Sequence, residues 1–145
     1  MNAHLSRSSS PEVVDLLRGS HHTAVLSIAP GTVESAPITT PLWYSFDPVS
    51  FQFTIVTPRM SRKMRHLVAG APVSLCFVGE IGTGAFVSVR GAVDAVDAIS
   101  HDDRVTFAVR YRGSEAEHFV TQSTFDDDAM AAVHIAPTRW SARVT

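Results

Sequence analysis

The sequence is poor in the features that mark several classes of protein. Its 145 residues include one cysteine, Cys76, so a disulfide framework is excluded. No apolar run approaches the ~18 residues that a membrane span needs. The formal net charge of −2 provides no general attraction to nucleic acid or to an anionic membrane. With 45% apolar and 18% charged residues, the chain has a globular rather than a disordered composition.

The length predicts a single domain over residues 1–145, in which the polar residues 1–9 form a flexible arm. The segment Met1–Arg7 lacks the charged and then apolar layout of a signal peptide. We therefore expect a cytoplasmic protein whose partners include neither nucleic acid nor a membrane.

Capping residues and apolar spacing predict helices in three regions. Ser10-Pro11-Glu12 is typical of a helix start and predicts a helix over 11–18. A second helix is predicted over 61–70, and others over 101–112 and 114–122. The second helix would bury one stripe of side chains: Met60, Met64, Leu67 and Val68.

Alternating apolar residues predict strands over most of the remaining chain. Strands 35–46 and 51–56 would form a hairpin around Asp47-Pro48, and Pro137 would separate the last two strands. Hairpin connections dominate, which favours a mainly β fold, an antiparallel barrel with α insertions. The predicted strands are 23–28, 35–46, 51–56, 73–78, 86–98, 130–135 and 140–144.

The segment 57–65 concentrates positive charge at the start of the second predicted helix. Eleven of the twelve basic residues are arginine, and the one lysine, Lys63, lies here beside Arg62. Cations in a first helical turn oppose the macrodipole by about 0.3–1 kcal/mol each. A bound phosphate would offset this cost, with Ser61 donating a hydroxyl, Arg62 a bidentate fork and Lys63 a point charge. The alternative is a solvated basic face paired with carboxylates elsewhere.

The order of several short motifs resembles the pyridoxamine 5′-phosphate oxidase-like family of FMN-binding split barrels. The similarity covers roughly residues 12–145. The motifs are Ala24-Val25-Leu26-Ser27-Ile28, Pro41-Leu42-Trp43-Tyr44, Ser61-Arg62-Lys63, Arg65-His66-Leu67, Ala71-Pro72-Val73-Ser74-Leu75 and Val89-Arg90-Gly91-Ala92-Val93.

This resemblance implies a six-stranded antiparallel split β-barrel that forms a homodimer, with two FMN sites at the subunit interface. It implies that the Ser61-Arg62-Lys63 segment holds the cofactor phosphate, that Thr57 lies near the ribityl chain and that the strand 39–43 runs along the isoalloxazine ring. The stretch 137–140, with Trp140, is similar to the family's terminal strand, which in some members contributes to the partner's site. The implied cofactor-binding residues are Thr40, Pro41, Leu42, Trp43, Thr57, Arg59, Ser61, Arg62, Lys63 and Trp140.

Three functions remain open on this interpretation, besides a barrel dimer whose cofactor site has decayed. The first is an FMN-dependent oxidoreductase acting on a small-molecule redox substrate. The second is an F420H2-dependent reductase, because F420 carries a phosphate at the same end of a similar tricycle and Arg59 and Arg65 would suit its polyglutamate tail. The third is a flavin-binding protein without turnover. The chain lacks the long N-terminal arm and the C-terminal extension of true pyridoxamine phosphate oxidases.

No catalytic side chain is predicted, since the cofactor would carry the chemistry. The seven histidines include no pair at helical spacing and have no cysteine partner, so no metal site is predicted.

Overall fold

The structure is a computed structural model that describes residues 10–19, 23–32 and 35–144, so the predicted arm lies outside the described residues. The described residues form three α-helices and seven strands, with three short 3-10 turns. In chain order these are α1 (Pro11–Arg18), β1 (Ala24–Ile28), β2 (Ile38–Leu42), β3 (Ser45–Phe46), β4 (Phe53–Pro58), β5 (Pro72–Val78), β6 (Phe86–Ala98), α2 (His101–Arg112), α3 (Ala116–Thr121) and β7 (Met130–Arg143).

The strands form one antiparallel sheet in the order β2-β1-β5-β6-β7-β4-β3. Its edge strands β2 and β3 are separated along the chain by only Trp43 and Tyr44. The three Cα steps from Leu42 to Ser45 span about 11 Å at most, so the two edges lie side by side. The sheet therefore curls into a barrel with a split between β2 and β3, which confirms the predicted mainly β fold with α insertions.

The inner faces of the strands form the core. Phe53 stacks on Phe77 at 5.1 Å between ring centroids, and Tyr44 meets Phe77 edge-on at 4.6 Å. Strict alternation on β1, β4 and β5 places every second side chain inside. The buried residues of these three strands are Ala24, Leu26, Ile28, Phe53, Ile55, Thr57, Val73, Leu75 and Phe77.

Two strand predictions were wrong in their bounds. The predicted strand 35–46 is two strands, because the chain leaves β1 after Leu42 and joins β4 at Ser45. The predicted strands 130–135 and 140–144 are one strand, β7. A bulge lies beside Pro137, and the pairing of β7 with β6 continues on both sides of it. One predicted strand divides and two merge, so the number of strands stays at seven, one more than the six that the family resemblance implies.

The predicted helix over 61–70 was also wrong, because only a 3-10 turn, Arg62–Arg65, forms there. Met60 is 95% exposed and Val68 is 59% exposed, while Leu67 is buried as predicted. Backbone hydrogen bonds explain the difference. The Gly70 N–H donates to the Val93 carbonyl and the Val93 N–H donates to the Ala71 carbonyl, so the segment before β5 is held against β6.

Two bulges between β6 and β7 decide which side chains become neighbours. The first lies at Arg90/Gly91, where a Cβ on Gly91 would sit 2.4 Å from the Ala136 carbonyl oxygen. Only glycine permits that approach. The second lies between Val93 and Ala95. It turns Ala95 toward the outer face, where Ala95 pairs with His134.

A hydrogen-bonded group around Tyr44 fastens the chain where it crosses from β2 to β3. The Tyr44 hydroxyl donates to the Leu17 carbonyl at 2.6 Å and accepts from Arg110 Nη2 at 2.9 Å. The Tyr111 hydroxyl donates to the Tyr44 carbonyl and accepts from its N–H. Burial raises the pKa of Tyr44 well above its ordinary value, so this hydroxyl stays protonated. The group joins α1, the crossover and α2.

Tyr44→Phe removes the hydroxyl from this group and leaves the Leu17 carbonyl with one donor fewer. We expect the free energy of unfolding to fall by about 1–3 kcal/mol, as for other buried hydrogen bonds, measured by urea denaturation. The control Ser141→Ala removes an exposed hydroxyl and should change little. Equal stability of Tyr44→Phe and the wild type would contradict a stabilising role for this hydroxyl.

Candidate functional site

The candidate site starts where β4 ends. Thr57, the last inward-facing residue of β4, is 3% exposed, and its Oγ1 lies 3.4 Å from Ser61 Oγ. The Ser61 side chain forms no cap hydrogen bond with the 3-10 turn. A four-residue turn offers no helix N-terminus, so an anion here would be held mainly by side chains. We call residues 59–65 the basic turn.

The basic turn holds cations without counter-charges. Arg62, Lys63 and Arg65 form no ion pair in the part of the chain that the structure describes. Lys63 is half-buried, and burial lowers the pKa of its ammonium. Partial desolvation of an unpaired charge is unfavourable unless a ligand compensates it. Arg59 has a separate role, because its Nε donates to the Asp128 carbonyl at 3.1 Å and ties the turn to the start of β7.

The predicted ring-binding strand borders the same opening in the barrel. β3 and β4 pair Ser45 with Thr54. If the pairing of β3 with β4 extended from Ser45 toward the N-terminus, Leu42 would lie opposite Thr57. Leu42 belongs to β2, however, and β2 pairs with β1. The split therefore has β2 on one side and the end of β4 on the other. Thr40 and Leu42 are half-buried, and Pro41 is exposed.

Trp43 contacts the helices rather than the open split. Its ring stacks on Tyr111 of α2 at 4.5 Å, with 5° between the planes, and lies 5.3 Å from Phe119 of α3. These contacts hold the crossover and the helical pair together. The implied role of Trp43 in cofactor binding stays a prediction.

Trp140 lies apart from the basic turn. It is 5% exposed and packs against Phe51 and Phe53 in the core. Pro58, just before the basic turn, pairs with Met130, ten residues before Trp140 on β7. Ten residues of strand cover about 33 Å. Within one protomer the two features sit at opposite ends of β7, so a shared site needs a second copy of the chain.

Sequence reasoning missed a pocket of about 510 Å³ between α2 and the outer faces of β4, β6 and β7. On its floor, His134 Nδ1 lies 2.9 Å from Thr54 Oγ1, and His134 Nε2 lies 3.1 Å from Asp97 Oδ2. An ionised carboxylate only accepts hydrogen bonds, so Nε2 donates to Asp97, and Nδ1 forms a hydrogen bond with the Thr54 hydroxyl. Arg110 lines the same pocket, and the side chains of Phe46 and Phe107 form an apolar part of its wall.

No sequence signal could have found this chain of side chains. Asp97 and His134 lie 37 positions apart, and their contact depends on the bulge between Val93 and Ala95. Without that extra residue, Asp97 would point to the opposite face of the sheet from His134.

The described residues lack two features that would indicate other functions. Within residues 10–19, 23–32 and 35–144, no group of three or more histidine, cysteine, aspartate or glutamate side chains could hold a metal ion. No helix among these residues is long and apolar enough to cross a membrane.

The family model for pyridoxamine 5′-phosphate oxidase matches residues 9–143, nearly the whole chain. The chain belongs to this pyridoxamine 5′-phosphate oxidase-like family of split barrels. No curated protein matches the sequence.

Solved structures share the fold at low sequence identity. An F420 reductase aligns with a TM-score of 0.69 and 16% identity, over 88% of this chain and 94% of its own. The FAD and heme binding protein from Mycobacterium smegmatis aligns with a TM-score of 0.66 and 16% identity, over 95% of this chain and 72% of its own. The heme storage protein HutZ from Vibrio cholerae aligns with a TM-score of 0.61 and 10% identity, over 92% and 93%.

Lys63→Met tests whether the lysine charge is uncompensated in the protein without ligand. Below the lowered pKa of the folded state, both the folded and the unfolded states carry the lysine charge. Because burial lowers the pKa in the folded state, the charge costs stability there, and stability rises only as alkaline pH removes it. We therefore expect an unchanged or higher free energy of unfolding at pH 7 and low salt.

The contrasting control is Arg104→Met. Arg104 is 7% exposed and its Nη1 lies 2.7 Å from Asp127 Oδ1, so its loss should lower stability. Equal destabilisation by both substitutions would show that Lys63 has a stabilising partner.

Thr54→Val keeps the shape of the side chain but removes the hydroxyl that forms the hydrogen bond with His134 Nδ1. We expect a loss of about 1 kcal/mol in unfolding free energy and a changed tautomer balance in the nitrogen NMR spectrum of the imidazole. The control Thr106→Val alters another threonine of the same pocket, one that is exposed. A His134 spectrum that responds equally to both substitutions would contradict the assigned hydrogen bond.

Proposed function

We propose that this protein binds the phosphate of a flavin-type cofactor at its basic turn and acts as an oxidoreductase on a small-molecule substrate. The observation that carries the proposal is the half-buried Lys63, flanked by exposed Arg62 and Arg65, without an ion pair among the described residues. A phosphate dianion supplies the missing counter-charge. Cofactor phosphate is an abundant ligand of that charge and size.

Each residue of the basic turn would make a different kind of contact with a bound phosphate. Arg62 presents a planar fork that suits two phosphate oxygens, and Lys63 provides a compact point charge. The Ser61 hydroxyl, beside Thr57 Oγ1, offers a neutral donor. Arg59 holds the turn in place through the Asp128 carbonyl. Charge-assisted hydrogen bonds of this type are roughly twice as strong as neutral ones.

The split beside the turn suits the ring of the same cofactor. β2 pairs only with β1, so its other edge has backbone donors and acceptors available to a ligand, except at Pro41, which has no N–H. The stack of Trp43 on Tyr111 holds this edge still. A bound flavin would supply hydride and electron transfer. The protein positions it and limits the access of water.

The family and its structural relatives support this class of function. FMN is the first cofactor to test, because the family model is that of a pyridoxamine 5′-phosphate oxidase. F420 is the second, since an F420 reductase shares the fold. Of the two arginines suited to the polyglutamate tail of F420, Arg59 is already engaged with Asp128, which favours FMN. A binding protein without turnover is the remaining alternative, because relatives include a heme storage protein.

A cytoplasmic homodimer is part of the proposal. The outer faces of β2, β1 and β5, and of β6 and β7 from Phe86 to Arg90 and from Arg139 onward, carry no acidic residue. Apart from Arg90, Arg139 and Arg143, they display mainly small side chains, including Ser27, Ser74 and Cys76. A face without acidic residues and with mainly small side chains can pack against its own copy about a twofold axis. The partner could then bring Trp140 toward the basic turn.

Titration of FMN into the purified protein tests the proposal through quenching of flavin fluorescence. Lys63→Met and Arg62→Ala should each weaken binding by at least tenfold, since a hydrogen bond to a charged group contributes about 1.5–3 kcal/mol. The matched control, Arg18→Ala, removes an exposed charge from α1 and should leave affinity unchanged. Affinities that are equal in all four proteins would overturn the phosphate assignment. Tight binding without turnover by any nicotinamide donor would leave only the binding role.

A further inference from the structure

Three polar side chains form a connected row on the floor of the pocket between α2 and the sheet. Thr54 Oγ1 lies 2.9 Å from His134 Nδ1, and His134 Nε2 lies 3.1 Å from Asp97 Oδ2. The adjacent strands β4, β7 and β6 provide one residue each. A hydroxyl, an imidazole and a carboxylate joined in this order are the groups of a nucleophile, its general base and the residue that orients the base.

The row is open to the pocket. The side chain of His134 is 27% exposed, Thr54 is half-buried, and Asp97 lies at the rim with 59% exposure. In the neutral imidazole that has its proton on Nε2, the free electron pair is on Nδ1, which faces the Thr54 hydroxyl. The geometry therefore places a base within hydrogen-bond distance of a hydroxyl, as nucleophilic catalysis requires.

The rest of the pocket suits a small, partly apolar ligand. Its volume of about 510 Å³ is typical of small-molecule sites, and Phe46, Ile99 and Phe107 line it. The Arg110 guanidinium, held by three neutral acceptors, has no carboxylate partner within residues 10–19, 23–32 and 35–144. Asp103 lines the pocket about 10 Å away along α2. A fixed positive charge near one end of the pocket stabilises negative charge that develops on a carbonyl oxygen.

This pocket is separate from the proposed cofactor site and from the proposed dimer face. None of the residues implied to bind the cofactor lines it. Thr54 is on the outer face of β4, whereas Thr57 faces the core. The dimer face stops short of the second bulge of β6, and Asp97 and His134 lie beyond that bulge. A ligand can therefore occupy the pocket independently of the cofactor.

We propose that Thr54, His134 and Asp97 hydrolyse small carboxylic esters that carry an apolar group. Thr54 Oγ1 attacks the carbonyl carbon while its proton passes to His134 Nδ1. That proton moves to the leaving alcohol oxygen as the ester C–O bond breaks, and the acyl group stays on Thr54. Water then attacks the acyl carbon and gives a proton to His134 Nδ1, which returns it to Thr54 Oγ1 as the carboxylic acid leaves. Nothing is oxidised or reduced, so the activity does not rest on the proposed function.

Para-nitrophenyl acetate is the probe, in buffer without flavin or nicotinamide. Release of nitrophenolate gives the rate, and mass spectrometry of peptides after an acid quench locates any acetyl group. We expect Thr54→Val and His134→Gln each to lower the rate by about tenfold or more. Thr54→Ser keeps the hydroxyl and should keep the rate. The matched controls, Thr121→Val and His118→Gln, alter exposed residues of α3 and should leave the rate nearly unchanged.

Three outcomes would overturn the proposal. One is a wild-type rate no higher than that of buffer. Another is an equal rate in the wild type and in Thr54→Val or His134→Gln, which would mean that other groups react with the ester. The third is an acetyl group on Lys63 or Cys76 and none on Thr54. Circular dichroism verifies that each variant is folded. Because FMN affinity is measured separately, failure of this activity is distinguishable from failure of the proposed cofactor site.

Discussion

Closure of the barrel through two residues is the constraint on which the rest of the structure depends. Trp43 and Tyr44 connect opposite edges of a seven-stranded sheet. The hydroxyl of Tyr44, together with Arg110, ties this crossover to α1 and α2, and the ring of Trp43 stacks on Tyr111. The split left beside the crossover is the opening that the basic turn borders. The same aromatic residues thus close the fold and shape the candidate site.

The long strands β6 and β7 form the second organising element. Each of their two bulges aligns a pair of polar side chains on the outer face: Arg90 with Arg139, and Asp97 with His134. Both alignments place ionisable groups beside depressions in the surface. A regular pairing would have put these groups on different faces or opposite neutral residues. Local irregularity therefore produces the polar features of an otherwise regular barrel.

The limits of sequence reasoning are clearest at the basic turn. Its cations were identifiable because arginine and lysine adjoin in a segment between a strand and a predicted helix. The conformation of the turn could not be identified in this way, because the spacing of Met60, Met64 and Leu67 predicts a helix. Backbone hydrogen bonds of Gly70 and Ala71 with Val93 leave room for only one 3-10 turn. The pairing partner lies more than twenty residues away, so local propensity could not reveal it.

Local patterns alone determined the strand segments of the barrel, the helices α1 and α2 and the position of the basic turn, since alternation, caps and charge are properties of neighbouring residues. Tertiary structure decided the register of β6 on β7, the burial of Trp140 and the contact of His134 with Thr54 and Asp97. The physical reason is that a one-residue slip or bulge moves each following side chain to the opposite face of the sheet. The choice between registers is made by packing across the whole barrel.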